Sequence, residues 1–134
     1  MNEETLLHRQ IHPTWVQNDT ISSQAFLAEN NIASLAFIPS EKDDKKLSVY
    51  NGQKFSPKES YIHFTTDYKS AGVLSVTISE VNSIGDLNVV EDNNPFDGHS
   101  VIDYNNIENL TQIKKKAKKI KNLAVQRGWT HKED

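Results

Sequence analysis

The change of charge near the C-terminus is the feature that most constrains how this 134-residue chain can fold. Residues 70–113 contain seven carboxylates and no Lys or Arg, whereas residues 114–127 contain seven cations and no carboxylate. Ammonium groups without partners are costly to bury in an apolar interior. The cationic segment must therefore keep its lysines in water, and only its few apolar residues can contact a core.

Those apolar residues recur at the three- and four-residue spacing of one helix face. Asn109 can cap the first helical turn, and Gly128 can close the last one in left-handed geometry. The sequence therefore predicts an amphipathic, lysine-rich helix from about Leu110 to Arg127 that packs on a sheet. Its predicted apolar stripe consists of Leu110, Ile113, Ala117, Ile120 and Ala124.

A second helix has the clearest local signature in the chain. Ser56 can cap it, Pro57 suits its first position, and Glu59 completes a capping box, so we expect a helix that ends at about Thr66. Residues 72–81 alternate between apolar and polar side chains and predict a half-buried strand, with Glu80 on its core side. Further strands are predicted at residues 47–50, 87–90 and 100–104.

The most apolar stretch allows two interpretations. Residues 21–27 and 32–38 can form a hairpin around Asn30-Asn31, because Asn tolerates left-handed backbone geometry. A helix through residues 23–30 is the alternative, since Gln-Ala-Phe-Leu-Ala-Glu has good helix propensity. In either case we expect one α+β domain over residues 1–134, with a mainly antiparallel sheet, at least two helices, and short flexible termini at about 1–5 and 130–134.

Composition excludes several classes of site. The chain has no cysteine, which excludes disulfides, thiolate zinc sites and cysteine nucleophiles. The acidic N-terminus is unlike a signal peptide, and no apolar run approaches the ~20 residues that span a bilayer. We therefore expect a cytoplasmic protein without membrane contact. The absence of glycine-rich phosphate loops predicts no cofactor of the common nucleotide-binding kinds.

Four residues are candidates for catalysis. Arg9 is the only arginine in the first 126 residues, and arginine is favoured where a planar fork must hold a phosphate or carboxylate. His12 lies four residues after His8, but Pro13 takes it out of a shared helical register, so we predict no metal site. Glu80, at the end of the alternating run, becomes a general acid or base candidate if it is buried near Arg9 or His99, although an exposed strand end is the simpler interpretation.

His99 is the fourth candidate, at the start of a predicted strand. Asp103 shares its face but lies ~13 Å away, because each strand residue advances the chain by about 3.3 Å. Ser100 points to the opposite face, which argues against a nucleophile pair with His99. Asp97 or a residue elsewhere must therefore orient His99.

These observations support three functional hypotheses. In the first, a binding or accessory protein uses its lysine helix and the acidic 80–108 region to bind a protein partner or a second copy of itself. In the second, a small enzyme acts on a phosphate-bearing or nucleotide substrate through Arg9 and a histidine. In the third, the lysine helix binds nucleic acid without sequence preference. The candidate binding residues are Lys114, Lys115, Lys118, Lys119, Lys121 and Arg127.

Overall fold

The computed structural model describes residues 1–16 and 32–133, which form an α+β fold, as the sequence predicted. Six strands form one sheet in the order β4-β5-β2-β1-β3-β6, and every neighbouring pair is antiparallel. The strands are β1 (Leu6–Ile11), β2 (Lys46–Asn51), β3 (Gly72–Thr77), β4 (Asn88–Val90), β5 (His99–Asp103) and β6 (His131–Lys132). The α-helices are α1 (Pro57–Thr65), α2 (Ile78–Ile84) and α3 (Leu110–Arg127).

Helix α3 covers one face of the sheet. Asn109 caps it through bonds to the amides of Thr111 and Gln112, and it buries Ile113, Ala117, Ile120 and Ala124. These side chains share a core with strand residues such as Leu7, Leu74 and Val76. Leu110, the first helical residue, is 54% exposed, so the predicted apolar stripe begins one turn too early.

Helix α1 covers part of the opposite face, where it packs against β1, β3 and β6. The predicted capping box is present, with Ser56 accepting from the amide of Glu59 and Glu59 accepting from the amide of Ser56. Gln10 on β1 donates to the Ser60 hydroxyl of α1, which fixes the helix over this face. A local signal in the sequence therefore began this helix, and a tertiary hydrogen bond positions it.

Two sequence predictions were wrong. Strand β3 ends at Thr77, because Thr77 and Glu80 form a second capping box that begins helix α2, so Glu80 does not lie on a strand. Residues 34–37 form a short 3₁₀ helix instead of a strand, with Ala36 and Phe37 buried in the core. The other predicted hairpin strand and its helical alternative lie outside the described residues.

The predicted flexible ends carry defined contacts where the structure describes them. The amide of Thr130 donates to Val73, and strand β6 pairs with β3 at Gly72 and Val73. At the other end, the Met1 ammonium group lies 4.0 Å from Glu91.

Candidate functional site

A cleft with a volume of about 350 Å³ opens between helix α1 and the loop that joins β4 to β5. Strands β1, β2 and β5 form its floor on the face of the sheet opposite α3. The β2–β5 register pairs Tyr50 with His99 and Ser48 with Val101, so all four side chains point into this face. The polar and charged side chains along the cleft are those of His8, Arg9, Gln10, Ser48, Tyr50, His63, Asp67 and His99.

Ser48, His99 and Asp92 form a continuous hydrogen-bonded chain in the cleft. The Ser48 hydroxyl lies 3.1 Å from Nε2 of His99, and Nδ1 of His99 lies 2.6 Å from a carboxylate oxygen of Asp92. Ser48 is exposed, whereas His99 is buried. A histidine between a hydroxyl and a carboxylate can accept the hydroxyl proton while the carboxylate holds the ring and balances its charge.

The loop before β5 places Asp92 beside His99. The amide of Asn93 donates to the carbonyl of His99, and the Asn93 side chain accepts from the amide of Gly98. Gly98 has a φ of +98°, and a Cβ atom there would lie 2.6 Å from the ring of Phe55. Only glycine fits this position without a shift, so the turn that closes the loop depends on it.

Arg9 occupies the gap where β1 and β2 separate. The two strands pair only at Leu7 and His8, and beyond them Nη1 of Arg9 donates to the carbonyl of Ser48 at 3.0 Å. Its Nε donates to Ala36 at 2.8 Å, and its guanidinium lies 5.4 Å from the centre of the Trp15 ring. Arg9 lines both the cleft and a second cavity of about 300 Å³ beside it.

The charge of Arg9 persists at neutral pH. Burial lowers the pKa of Arg9 to about 10, although the charges of Tyr104 and Asp43 act in the opposite direction. The guanidinium has five N–H donors, and the two bonds above use only two of them. A positive group that makes these two hydrogen bonds with the described residues therefore lies behind Ser48.

His8 supports the floor of the cleft and is unavailable for proton transfer. Its Nδ1 lies 2.7 Å from the Ser75 hydroxyl and its Nε2 lies 3.0 Å from the carbonyl of Phe55, so Nε2 carries the proton and Nδ1 accepts. Burial lowers the pKa of His8, and the bond to Phe55 opposes this only in part. His8 is therefore a neutral, fully bonded structural histidine.

A second histidine reaches the cleft from helix α1. Nδ1 of His63 lies 2.8 Å from the hydroxyl of Tyr50, and burial raises the pKa of Tyr50 to about 12. Tyr50 therefore stays a neutral hydroxyl that can donate to Nδ1, which leaves the proton of a neutral His63 on Nε2. The rings of Tyr50, Phe55 and Phe96 surround His63 with centroid separations of 4.4 to 5.6 Å.

The structure brings together two of the four predicted catalytic residues. Arg9 and His99 meet at Ser48. His12 lies outside the cleft lining, where its Nδ1 accepts from the amide of Thr14. Glu80 is also outside the lining and accepts from Arg127 at 2.7 Å. Burial alone would raise the pKa of Glu80, but hydrogen bonds from Arg127 and Thr77 outweigh it and lower the pKa.

The predicted lysines lie on the outer side of helix α3, opposite its buried residues. Arg127 is committed to Glu80 and to the carbonyl of Ser75, and the neighbouring Lys116 donates to Ile84. Across residues 1–16 and 32–133, the other five lysines of this cluster form no salt bridge. They are Lys114, Lys115, Lys118, Lys119 and Lys121.

Sequence reasoning missed Ser48 and Asp92. Ser48 lies between the apolar residues Leu47 and Val49 of β2, so its side chain points to the other face of the sheet. Which face carries a cleft depends on pairing between distant strands, and no local pattern records that. Asp92 lies in a loop with three other acidic residues within six positions on either side, and nothing in its spacing separates it from Asp97.

No group of three His, Asp or Glu side chains in the described part of the chain could hold a metal ion. None of the described helices is long and apolar enough to cross a membrane. No family model matches the chain, and no curated protein or solved structure matches it significantly.

Proposed function

We propose that the protein is a small enzyme that acts on a phosphate-bearing substrate of about nucleotide size. The observation that carries this proposal is the meeting of Arg9 and His99 at Ser48. One donates to the Ser48 carbonyl at 3.0 Å, and the other lies 3.1 Å from its hydroxyl. A nucleophile, a base and a permanent positive charge are the groups that a phosphoryl-transfer site requires.

Each residue has a defined role in this proposal. Nε2 of His99 accepts the Ser48 proton as the hydroxyl oxygen attacks phosphorus and the bond to the leaving-group oxygen breaks. The leaving oxygen lies on the far side of phosphorus and takes its proton from water, while Asp92 stabilises the charged His99 ring, which keeps the Ser48 proton. Arg9 donates to the phosphate oxygens. Water releases the phosphate from Ser48 by the same route in reverse.

The guanidinium of Arg9 favours a phosphate over a neutral ester at its end of the cleft. A serine, histidine and carboxylate also serve acyl transfer, but that reaction needs donors for a single developing oxyanion and no fixed cation. The guanidinium of Arg9 is bidentate by nature and matches two oxygens of one phosphate. Its cationic state at neutral pH follows from a pKa of about 10.

Turnover assays with the purified chain test this proposal. We expect hydrolysis of p-nitrophenyl phosphate or of nucleoside phosphates and none of p-nitrophenyl acetate. The Ser48→Ala variant should lose this activity, whereas Ser83→Ala should retain it, because Ser83 is an exposed serine on α2 outside the cleft. Hydrolysis of the acetate ester alone would reassign the site to acyl transfer, and inactivity on both classes would refute the proposal.

A second candidate function is binding through the lysine surface, defined as Lys114, Lys115, Lys118, Lys119 and Lys121. Its support is the absence of salt bridges to these five side chains from any described residue. The acidic 80–108 region contributes less than the sequence suggested. Of its carboxylates, Glu80, Asp86, Glu91, Asp92, Asp97 and Asp103 contact groups of the chain itself.

Binding experiments across salt concentrations test the lysine surface. We expect a protein partner or a second copy of the chain to be retained at low salt and released at high salt. Replacing Lys115, Lys118 and Lys119 by Gln should abolish retention, whereas replacing Lys46, Lys58 and Lys69 by Gln should not. Capture of RNA or DNA with the same salt response would instead favour nucleic-acid binding. A monomer that binds nothing at low salt would exclude this function.

A further inference from the structure

We propose that the cleft contains a subsite for a nucleobase, formed by the rings of Phe64 and Tyr68, so that the substrate is a nucleotide with an amino-bearing base. This inference rests on the proposed function, because it assumes that the phosphate end of the substrate lies at Arg9 and Ser48. The inference adds the chemical identity of the other end of the substrate, which is a nucleobase.

The two rings form an accessible aromatic wall. Phe64 lies in the last turn of helix α1, and Tyr68 follows the helix by three residues. Their centroids are 5.2 Å apart with an angle of 33° between the ring planes, and both side chains line the cleft. Tyr68 is 67% exposed, the highest exposure among the large hydrophobic side chains of the described residues. Exposed rings of this kind stack on nucleobases irrespective of sequence.

The cleft also contains an aromatic ring from the β4–β5 loop. Phe96 in the β4–β5 loop lies 5.1 Å from Tyr50 and 4.4 Å from His63, measured between ring centroids. These contacts hold Phe96 against the floor while it lines the cleft. A planar base stacked on the rings of Phe64 and Tyr68 would leave less apolar surface in water.

The charge of this end fixes the orientation of the substrate. Asp67 lines the cleft beside Tyr68, and the carbonyl end of helix α1 also carries partial negative charge. Both repel a phosphate and attract N–H donors. A carboxylate accepts hydrogen bonds from exocyclic amino groups of bases, as Asp and Glu do from cytosine. Adenine, cytosine and guanine carry such amino groups and suit this end, whereas uracil offers only a ring N–H between two oxygen acceptors.

The size of the cleft limits the ligand. Binding sites for small molecules usually enclose about 300–1,000 Å³. The cleft, at about 350 Å³, lies near the lower limit. It therefore suits one nucleotide unit better than a longer ligand.

Calorimetric titration of the full chain tests the subsite. We expect adenosine 5′-monophosphate to bind about tenfold more tightly than ribose 5-phosphate, because one stacked base contributes roughly that factor. Tyr68→Ala should remove this advantage and leave ribose 5-phosphate binding unchanged. Ile62→Ala is the matched control, since Ile62 is an exposed residue of α1 outside the cleft lining. Asp67→Asn should weaken the preference for the adenine over the uracil nucleotide.

The outcomes separate this inference from the proposed function. Equal affinities for the nucleotide and ribose 5-phosphate, unaltered by Tyr68→Ala, would overturn the base subsite and leave the phosphate site intact. Adenosine binding that Tyr68→Ala abolishes, without turnover of any phosphate compound, would support the base subsite and refute the proposed function. No binding of adenosine, the nucleotides or ribose 5-phosphate would overturn both.

Discussion

The two faces of the sheet bury different kinds of side chain. The face covered by helix α3 buries Leu7, Leu74 and Val76. The neighbouring residues His8 on β1 and Ser75 on β3 are buried on the other face. The first face is mostly apolar, and it supplies two residues of the cleft lining, Arg9 and Val49, which lie two positions from Leu7 on β1 and from Leu47 on β2. The second is a hydrogen-bonded polar layer that opens into the cleft. Because side chains alternate along a strand, the same strands supply both the core and the site.

This contrast shows that one face of the sheet mainly stabilises the fold, whereas the other face carries the candidate site. Burial of apolar area on the α3 face supplies the favourable term in folding. The polar face satisfies its buried groups internally, for example through Gln10, which donates to Ser60 and accepts from Ser70. Substitutions on the two faces should therefore have separable effects on stability and activity, and four predictions test this.

The largest expected effect is on activity and lies on the cleft face. Asp92→Asn should lower kcat on the order of a thousandfold, because the carboxylate no longer stabilises the charged His99 ring. The unfolding midpoint should change little. Asp97→Asn is the matched control, since Asp97 lies in the same loop but pairs with Lys54. Equal kcat in the two variants would remove Asp92 from the mechanism.

The largest effect on stability lies on the other face. Ile120→Ala should lower the free energy of unfolding by about 2–5 kcal/mol, because it leaves a cavity in the core beneath helix α3. Urea unfolding measures the change, and kcat of the folded enzyme should be preserved. Leu110→Ala, at an exposed position of the same helix, should cost less than about 1 kcal/mol. A similar cost for both would contradict the packing described for α3.

The third prediction concerns the pH dependence of stability. The folded state lowers the pKa of His8 below its unfolded value near 6.5, so the unfolded chain binds the proton more readily. The free energy of unfolding should therefore be maintained above pH 6.5 and decline as the pH falls below it. Urea unfolding at several pH values measures this. His8→Gln, which keeps one donor and one acceptor, should reduce the slope in that range, and an unchanged slope would assign it to other groups.

The smallest expected effect involves the ion pair between Glu80 and Arg127. Glu80→Gln should lower the free energy of unfolding by about 1 kcal/mol or less, because both side chains are partly exposed. The pKa of Glu80 is lowered in the folded state, so its contribution is present above the unfolded pKa and lost as the pH falls through the folded value. The variant and the parent should therefore converge in acid. An activity loss larger than twofold would show that Glu80 reaches the cleft chemistry after all.

Part of the fold could be predicted because its signals are local. The capping box at Ser56 and Glu59 and the spacing from Ile113 to Ala124 each lie within one helix, and the structure contains both helices. The prediction of a strand through Glu80 was wrong for the same reason. Two local signals compete at Thr77, where strand alternation meets a second capping box, and the helix begins there.

The candidate site could be predicted only in part. Arg9 and His99 were identifiable by residue type, since Arg9 is one of only two arginines and His99 one of five histidines in the chain. The sequence did not show that both residues contact Ser48. Ser48 lies on a strand about forty positions from Arg9 and about fifty positions from His99 along the chain. Four separate elements supply Arg9, Ser48, Asp92 and His99.

The sequence by itself determined helices α1 and α3, most of the strands and the outward lysines, because backbone capping, side-chain periodicity and the cost of burying charge act over a few residues. Tertiary structure alone decided that β2 lies between β1 and β5, with Arg9 filling the gap where β1 and β2 separate. The pairing of these strands decides which side chains from different strands lie next to each other on the same face of the sheet. The cleft therefore depends on long-range register, which no short segment of the chain specifies.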